Sequence, residues 1–373
     1  MISRIFPFVF LCILGSCKQV QKISDVFVRP TPREIYARNF EDGDLNYFQW
    51  NRAFELALED SLQITLPFYE VGEFPAQKFP VYGFNMELSQ GEKLVVSVTM
   101  HDSIPFFIDL YRYKNVDSLD SKSELSKRQH GRLPIEFPVQ KNGTYKILLQ
   151  PELYKATNFQ IELYTRPTLT FPVAGVSDKA IQSFWGASRS NGERTHEGVD
   201  IFAPRLTAVL AATDGRIGYT GERGLGGRQV WLREGVLGKS FYYAHLDSIA
   251  VTSSKKVWAG DTLGFVGNTG NARTTAPHLH FGIYTKSGAI DPLPFIRQKK
   301  REKIALERPA TSGFIVAEKA NMRLGADVHS TKLHTLEKND TITIFGKTVN
   351  WYHIRRSEGT QGFIYHTLVH EID

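Results

Sequence analysis

Between Pro167 and Arg297 the chain has four histidines, all in three short motifs: His196-Glu-Gly-Val-Asp200, Tyr242-Tyr-Ala-His245-Leu and Pro277-His278-Leu-His280-Phe. The last constrains the fold most. The run from His278 to Tyr284 reads as a strand, and residues two apart on a strand share a face. Both imidazoles therefore project one way, with Leu279 and Phe281 on the other side. His196 and Asp200 are four apart, a spacing that would also share a face on a helix. Gly198 lies between them, however, and Val199-Asp-Ile-Phe202 leads to Pro204 as a strand would. The pair is expected on a turn entering a strand, not on a His-Glu-x-x-His helix. Glu197 lacks that helical context and is not expected to act as a general base.

Imidazole nitrogens and one carboxylate form a zinc donor set with an open fourth position, which points to metal-assisted hydrolysis. Each motif alone is weak, since a His-x-His pair on a strand is more often a surface or core pair. Together, in one segment of about a hundred residues with Gly-rich spacing between them, they make coincidence a poor explanation. The stretch from Phe171 to Pro292 resembles the lysostaphin-type (LytM-like) zinc metallopeptidases that cut peptide bonds in bacterial peptidoglycan. It does so through the three histidine motifs and through Ala211-Ala-Thr-Asp-Gly-Arg-Ile217, Trp258-Ala-Gly-Asp261, Gly264-Phe-Val-Gly-Asn-Thr-Gly270 and Asp291-Pro292. That resemblance covers about a third of the chain. It implies that His196, Asp200 and His280 hold Zn2+ and that His245 and His278 are an unliganded catalytic pair. It also implies a small antiparallel sheet whose groove holds the ion and an extended substrate peptide. Two departures touch no ligand: Thr275-Ala276-Pro277 replaces the usual small-Gly-Pro, and Leu206 stands near a family glycine. Some relatives have lost ligands and activate other wall enzymes, so a non-catalytic wall-binding regulator is the alternative reading.

Arg4 precedes an apolar run, Ile5 to Leu14, of about ten residues, half of what a membrane span needs. It reads as the core of a signal peptide, residues 1–16. Leu14-Gly-Ser-Cys17 resembles a bacterial lipobox, which implies lipidation at Cys17 and a mature chain tethered to the cell envelope, facing the periplasm or the surface. The only other cysteine is Cys12, within the signal, so no internal disulfide is expected.

The net charge of +6 and pI near 9.1 favour anionic polymers or surfaces. No nucleic-acid recognition pattern appears, and an exported chain rarely meets nucleic acid. Peptidoglycan is the expected partner, nucleic acid is not, and the chain is expected to be a monomer. Residues 17–65 read as a linker with an amphipathic helix over Asn46–Asp60, where Tyr47, Trp50, Phe54, Ala57 and Leu58 fall at helical spacing. From 66 to 166, five apolar runs broken by turns suggest an antiparallel β-sandwich: Val81–Leu88, Lys93–Met100, Phe106–Tyr113, Gly143–Gln150 and Phe159–Tyr164. The catalytic segment spans 167–297, and a basic linker spans 298–312. Residues 313–373, with Ala320-Asn-Met-Arg-Leu-Gly325 and Trp351-Tyr-His-Ile-Arg355, resemble bacterial SH3-like barrels. Trp351 is expected in a core rather than a peptide groove. His329, His334, His353, His366 and His370 lack ligand spacing and are expected at the surface. The expected class is mainly β: a sandwich-like domain, an antiparallel-sheet metallopeptidase and a small SH3-like barrel.

Overall fold

The computed structural model describes residues 30–74, 81–100, 104–115, 118–120, 122–129, 134–153, 157–189, 192–235, 238–298 and 304–372. The expected signal peptide and lipidation site, Cys17, lie outside them. The fold is mainly β, and all its named strand pairs are antiparallel. No helix among the described residues is long and apolar enough to cross a membrane.

The five expected sandwich runs appear as Tyr82–Leu88, Glu92–Met100, Phe106–Asn115, Gly143–Pro151 and Thr157–Pro167, joined by Phe68–Phe74. One sheet is built on Gly143–Pro151, flanked by Tyr82–Leu88 and Phe106–Asn115. The facing sheet is built on Thr157–Pro167, flanked by Phe68–Phe74 and Glu92–Met100. Gly143–Pro151 is buried along almost its whole length rather than on alternate residues. Both its faces are covered, the inner by the opposite sheet and the outer by a helix, so even its polar residues Lys146 and Gln150 are buried.

That helix is Leu45–Glu59, which buries Trp50, Phe54 and Ala57. It starts at Asp44, whose carboxylate accepts from the backbone of Asn46 and Tyr47. At its other end the fully buried Lys146 ammonium donates to the carbonyls of Ala57 (2.9 Å) and Asp60, satisfying orphan helix-end acceptors with a cation. Burial pushes the Lys146 pKa down from 10.5 to about 8. A second helix, Pro32–Ala37, was not expected. Thr31 and Glu34 form a reciprocal capping box ahead of it, with proline in its first turn, which is a readable signature. Arg33 on that helix reaches Asp109 (2.5 Å) and Gln150 (2.6 Å) and lies over Phe54. Residues 60–65 are not a free linker: Leu62 and Ile64 are buried in the sandwich core.

The C-terminal barrel does not stand apart from the sandwich. Phe68–Phe74 also pairs with Thr341–Thr348, with Val71 opposite Lys347 and Gly72 opposite Gly346, so one sheet runs through both units. Alternation along the tail strands serves two cores. Ile344, Tyr352, Ile354 and Ile364 face the barrel's own core, while Phe345, Trp351 and Phe363 join the sandwich core. Each such buried aromatic contributes about 1.5–3 kcal/mol relative to exposure. Trp351 is therefore a core residue, although the core is largely the sandwich's. A side chain at Gly72 would collide with the Phe345 carbonyl oxygen, so glycine is what lets the strands approach.

One expectation fails at this seam. His353 is not a surface residue but fully buried. Its Nδ1 lies 3.0 Å from Glu70 Oε1, and Glu70 is fully buried too. His353 falls on the sandwich-facing side of its strand, between Trp351 and Ile354 in sequence, and stacks on Phe363 at 5.1 Å. Spacing within the tail cannot show a partner contributed by a strand nearly three hundred residues earlier.

The central unit has its own core around a sheet ordered Ile181–Ser183, Val199–Phe202, His278–Thr285, Ser240–Ala244, Arg228–Arg233, Gly215–Glu222 and Lys256–Val257. It docks on the sandwich through Phe295, whose ring fills the space over Gly91. Backbone bonds Thr168 N to Gly91 O and Leu169 N to Phe295 O fix the junction.

Candidate metal centre

The site is built on the central strand His278–Thr285. Asp200 sits directly opposite His280 on one neighbour, and Ala244 sits opposite His280 on the other. The strand period works as the sequence suggests: Leu279 and Phe281 are fully buried in the core, while His278 and His280 line a groove of about 960 Å³. His196 precedes its strand on a turn, and Gly198 brings that turn close. A Cβ at Gly198 would lie 2.5 Å from Phe281 O and 2.8 Å from His280 Cε1.

Three donor atoms converge. His196 Nε2, His280 Nδ1 and Asp200 Oδ1 are each 3.0 Å from the other two. The described residues hold one such group of potential metal ligands, and it is this one. Tetrahedral ligands at about 2.0–2.2 Å from an ion stand roughly 3.3 Å apart, so the triangle has the size such an ion needs. The tautomers agree. His196 Nδ1 is 2.9 Å from the Phe184 carbonyl, which can only accept, so Nδ1 carries the proton and Nε2 presents a lone pair to the triangle. Two imidazole nitrogens and a carboxylate oxygen facing one another are the donor set a divalent cation would join.

His245 and His278 lie beside the triangle without joining it. Their rings are 5.0 Å apart, and His245 is 6.0 Å from the His280 ring. Each has its Nδ1 held 2.9 Å from a backbone carbonyl, Thr269 for His245 and Ala276 for His278. Each therefore keeps Nε2 as its proton-accepting nitrogen. The Ala276 contact is made by main chain, so the side chain at position 276 takes no part in it. His245 adopts a left-handed conformation, φ 64°, uncommon outside glycine and met at active sites. Burial, then the neighbouring His278 and His280, lowers its pKa from 6.5 to about 4. Burial lowers His280 as well. For Asp200 burial alone would raise the pKa, but hydrogen bonds and charge from His196 and His280 hold it well below the carboxylate range.

Two neighbours were not singled out by sequence. Arg189 Nη2 donates to Asp200 Oδ2 at 2.8 Å and to Ser183 Oγ at 2.6 Å. Neither residue falls in a periodic motif; only the hairpin Ser188–Arg189 with Arg194–Thr195 folds Arg189 back onto the site. Glu197 is turned aside and accepts from Tyr284 at 3.2 Å. Leu206 has φ 71°, a left-handed conformation that glycine adopts without strain.

Residues 194–292 match peptidase family M23, and residues 318–370 match the bacterial SH3 domain. The chain thus carries a peptidase domain of that family, containing all five residues above, and a bacterial SH3 domain. The L-Ala--D-Glu endopeptidase of Bacillus subtilis is 32% identical over 143 residues, 35% of this chain and 44% of that protein. Glycyl-glycine endopeptidase ALE-1 of Staphylococcus capitis is 38% identical over 107 residues, 27% of this chain and 29% of that protein. Murein hydrolase activator NlpD of Escherichia coli is 32% identical over 134 residues, 35% of this chain and 32% of that protein. The matched region spans less than half the length of each of these relatives.

Proposed function

We propose that this chain is a zinc-dependent endopeptidase that hydrolyses peptide bonds of bacterial peptidoglycan. The observation that carries the reading is the triangle of His196, Asp200 and His280 donor atoms with two carbonyl-locked imidazoles beside it. His196, Asp200 and His280 would hold the ion. Zinc, when bound, supplies Lewis-acid polarisation of the scissile carbonyl and acidifies water from about 15.7 toward roughly 7. The proton movements belong to His245 and His278, whose Nδ1 atoms are held by carbonyls so that Nε2 is the proton-accepting nitrogen. One takes a proton from the attacking water as the C–O bond forms. The pair then returns a proton to the departing nitrogen as the C–N bond breaks. Relatives named as endopeptidases and the bacterial SH3 domain support a wall peptide as substrate, as does the basic charge. Lipidation at Cys17 would hold the enzyme at the envelope.

A second reading, a non-catalytic activator of other wall hydrolases, draws on the relatives named as murein hydrolase activators. The experiment that separates the two is incubation of the mature protein with purified sacculi, with and without chelator, followed by mass spectrometry of released fragments. Chelator-sensitive release of peptide-cleaved fragments supports the endopeptidase. Intact sacculi with protein that binds no zinc favour the activator, and intact sacculi with zinc-loaded protein point to another substrate.

A further inference from the structure

We infer that Arg189 is a positioning residue that makes Asp200 a one-oxygen ligand and so keeps the remaining coordination space open for water and substrate. The inference rests on the zinc reading above. The two oxygens of Asp200 have different environments: Oδ1 is 3.0 Å from both His196 Nε2 and His280 Nδ1, while Oδ2 receives Arg189 Nη2 at 2.8 Å. A carboxylate free to turn could offer both oxygens to one ion. Here the turn would break a charge-assisted hydrogen bond, about 1.5–3 kcal/mol for bonds of this type.

Arg189 is itself braced. The same Nη2 donates to Ser183 Oγ at 2.6 Å, and Ser183 Oγ lies 3.3 Å from His196 Nδ1. Ser183 and Asp200 are cross-strand partners. The outer ring Ser183–Arg189 thus touches two of the three donor residues on the side away from the triangle, where partners set the orientation of a ligand. Arg189 also lines the groove, so a direct role in gripping substrate is the competing explanation.

Charge and geometry have opposite consequences for metal retention. Removing the guanidinium removes a cation near the ion, which favours binding. It also frees Asp200, which loosens the geometry. Metal retention alone is therefore not diagnostic, whereas coordination number and the split between kcat and KM are.

The test uses the full mature chain loaded with cobalt(II), whose visible absorption weakens as coordination number rises, and with zinc for kinetics on a soluble wall peptide. R189M should show weaker cobalt bands than wild type and a kcat lower by about 10–100-fold with KM unchanged. R189K, which retains a charged donor, should restore the spectrum and most of kcat. S183A should shift both in the same direction as R189M but less. Circular dichroism of metal-free R189M checks folding; a misfolded R189M leaves S183A and R189K to decide. Wild-type cobalt bands in R189M and S183A overturn the inference, as does a loss confined to KM. Wild-type protein that takes up neither metal sinks the zinc reading instead.

Discussion

Replacing His353 by leucine should cost far more stability than any exposed histidine substitution in the tail. Glu70 and His353 are both fully buried at the seam between sandwich and barrel, and their contact is 3.0 Å. Glu70 Oε2 has no hydrogen-bond partner among the described residues, so losing the imidazole would leave the buried carboxyl group unpaired beside the rings that surround His353, Tyr82, Phe345 and Phe363. Breaking a buried pair from one side costs about 3–5 kcal/mol, whereas exchanging both partners for apolar groups is often neutral or stabilising. H353L should therefore be destabilised by about 3–5 kcal/mol, and E70M/H353L should recover most of that loss. Urea unfolding followed by tryptophan fluorescence measures this, since Trp351 reports on the same seam. Zinc content should not change, because the seam is not part of the groove. An H353L penalty under about 1 kcal/mol, or a double variant as unstable as the summed singles, would refute the reasoning.

Three further outcomes follow from single positions. G198A should weaken zinc binding and lower stability, since the added methyl meets both the Phe281 carbonyl oxygen and the His280 ring; zinc titration with a competing chelator and thermal unfolding measure it, and unchanged affinity contradicts the close approach. L206G should stabilise the protein by about 1 kcal/mol, because Leu206 is exposed and holds a left-handed φ that costs an L-residue about 1–2 kcal/mol; thermal unfolding reads it, and a lower Tm would argue against relieved strain. For Lys146 the folded pKa lies below the unfolded value, so between about 8 and 10.5 the unfolded chain binds more protons and this site's contribution to stability rises with pH. Relative to K146M, wild type should gain up to about 3 kcal/mol across that window. A flat difference would mean that the buried ammonium is not penalised.

How far the sequence could be read depends on whether the information was local. The strand His278–Thr285 was legible because a period of two and an apolar alternate face are properties of neighbouring residues. The helix Leu45–Glu59 was legible for the same reason at a period near four. Pro32–Ala37 carried its capping box in plain view and was missed only because the helix is short and buries none of its residues. The Glu70–His353 pair was not legible, since the two residues meet only after two domains share a sheet. Trp351 and His353 look like a barrel's own residues until Phe68–Phe74 pairs with Thr341–Thr348. Arg189 was hidden for a related reason: a two-residue hairpin strand, with no periodicity of its own, folds it against Asp200. Nothing in its immediate sequence distinguishes it from Arg194 or Arg205.

The division of labour among five side chains is tested most directly by zinc content per chain in five single alanine variants, each checked for folding by circular dichroism. H196A, D200A and H280A should lose both metal and turnover. H245A and H278A should retain about one zinc per chain, the complement of a three-ligand catalytic site, while losing turnover. Loss of metal from folded H245A or H278A, or full metal in any of the first three, would contradict the assignment.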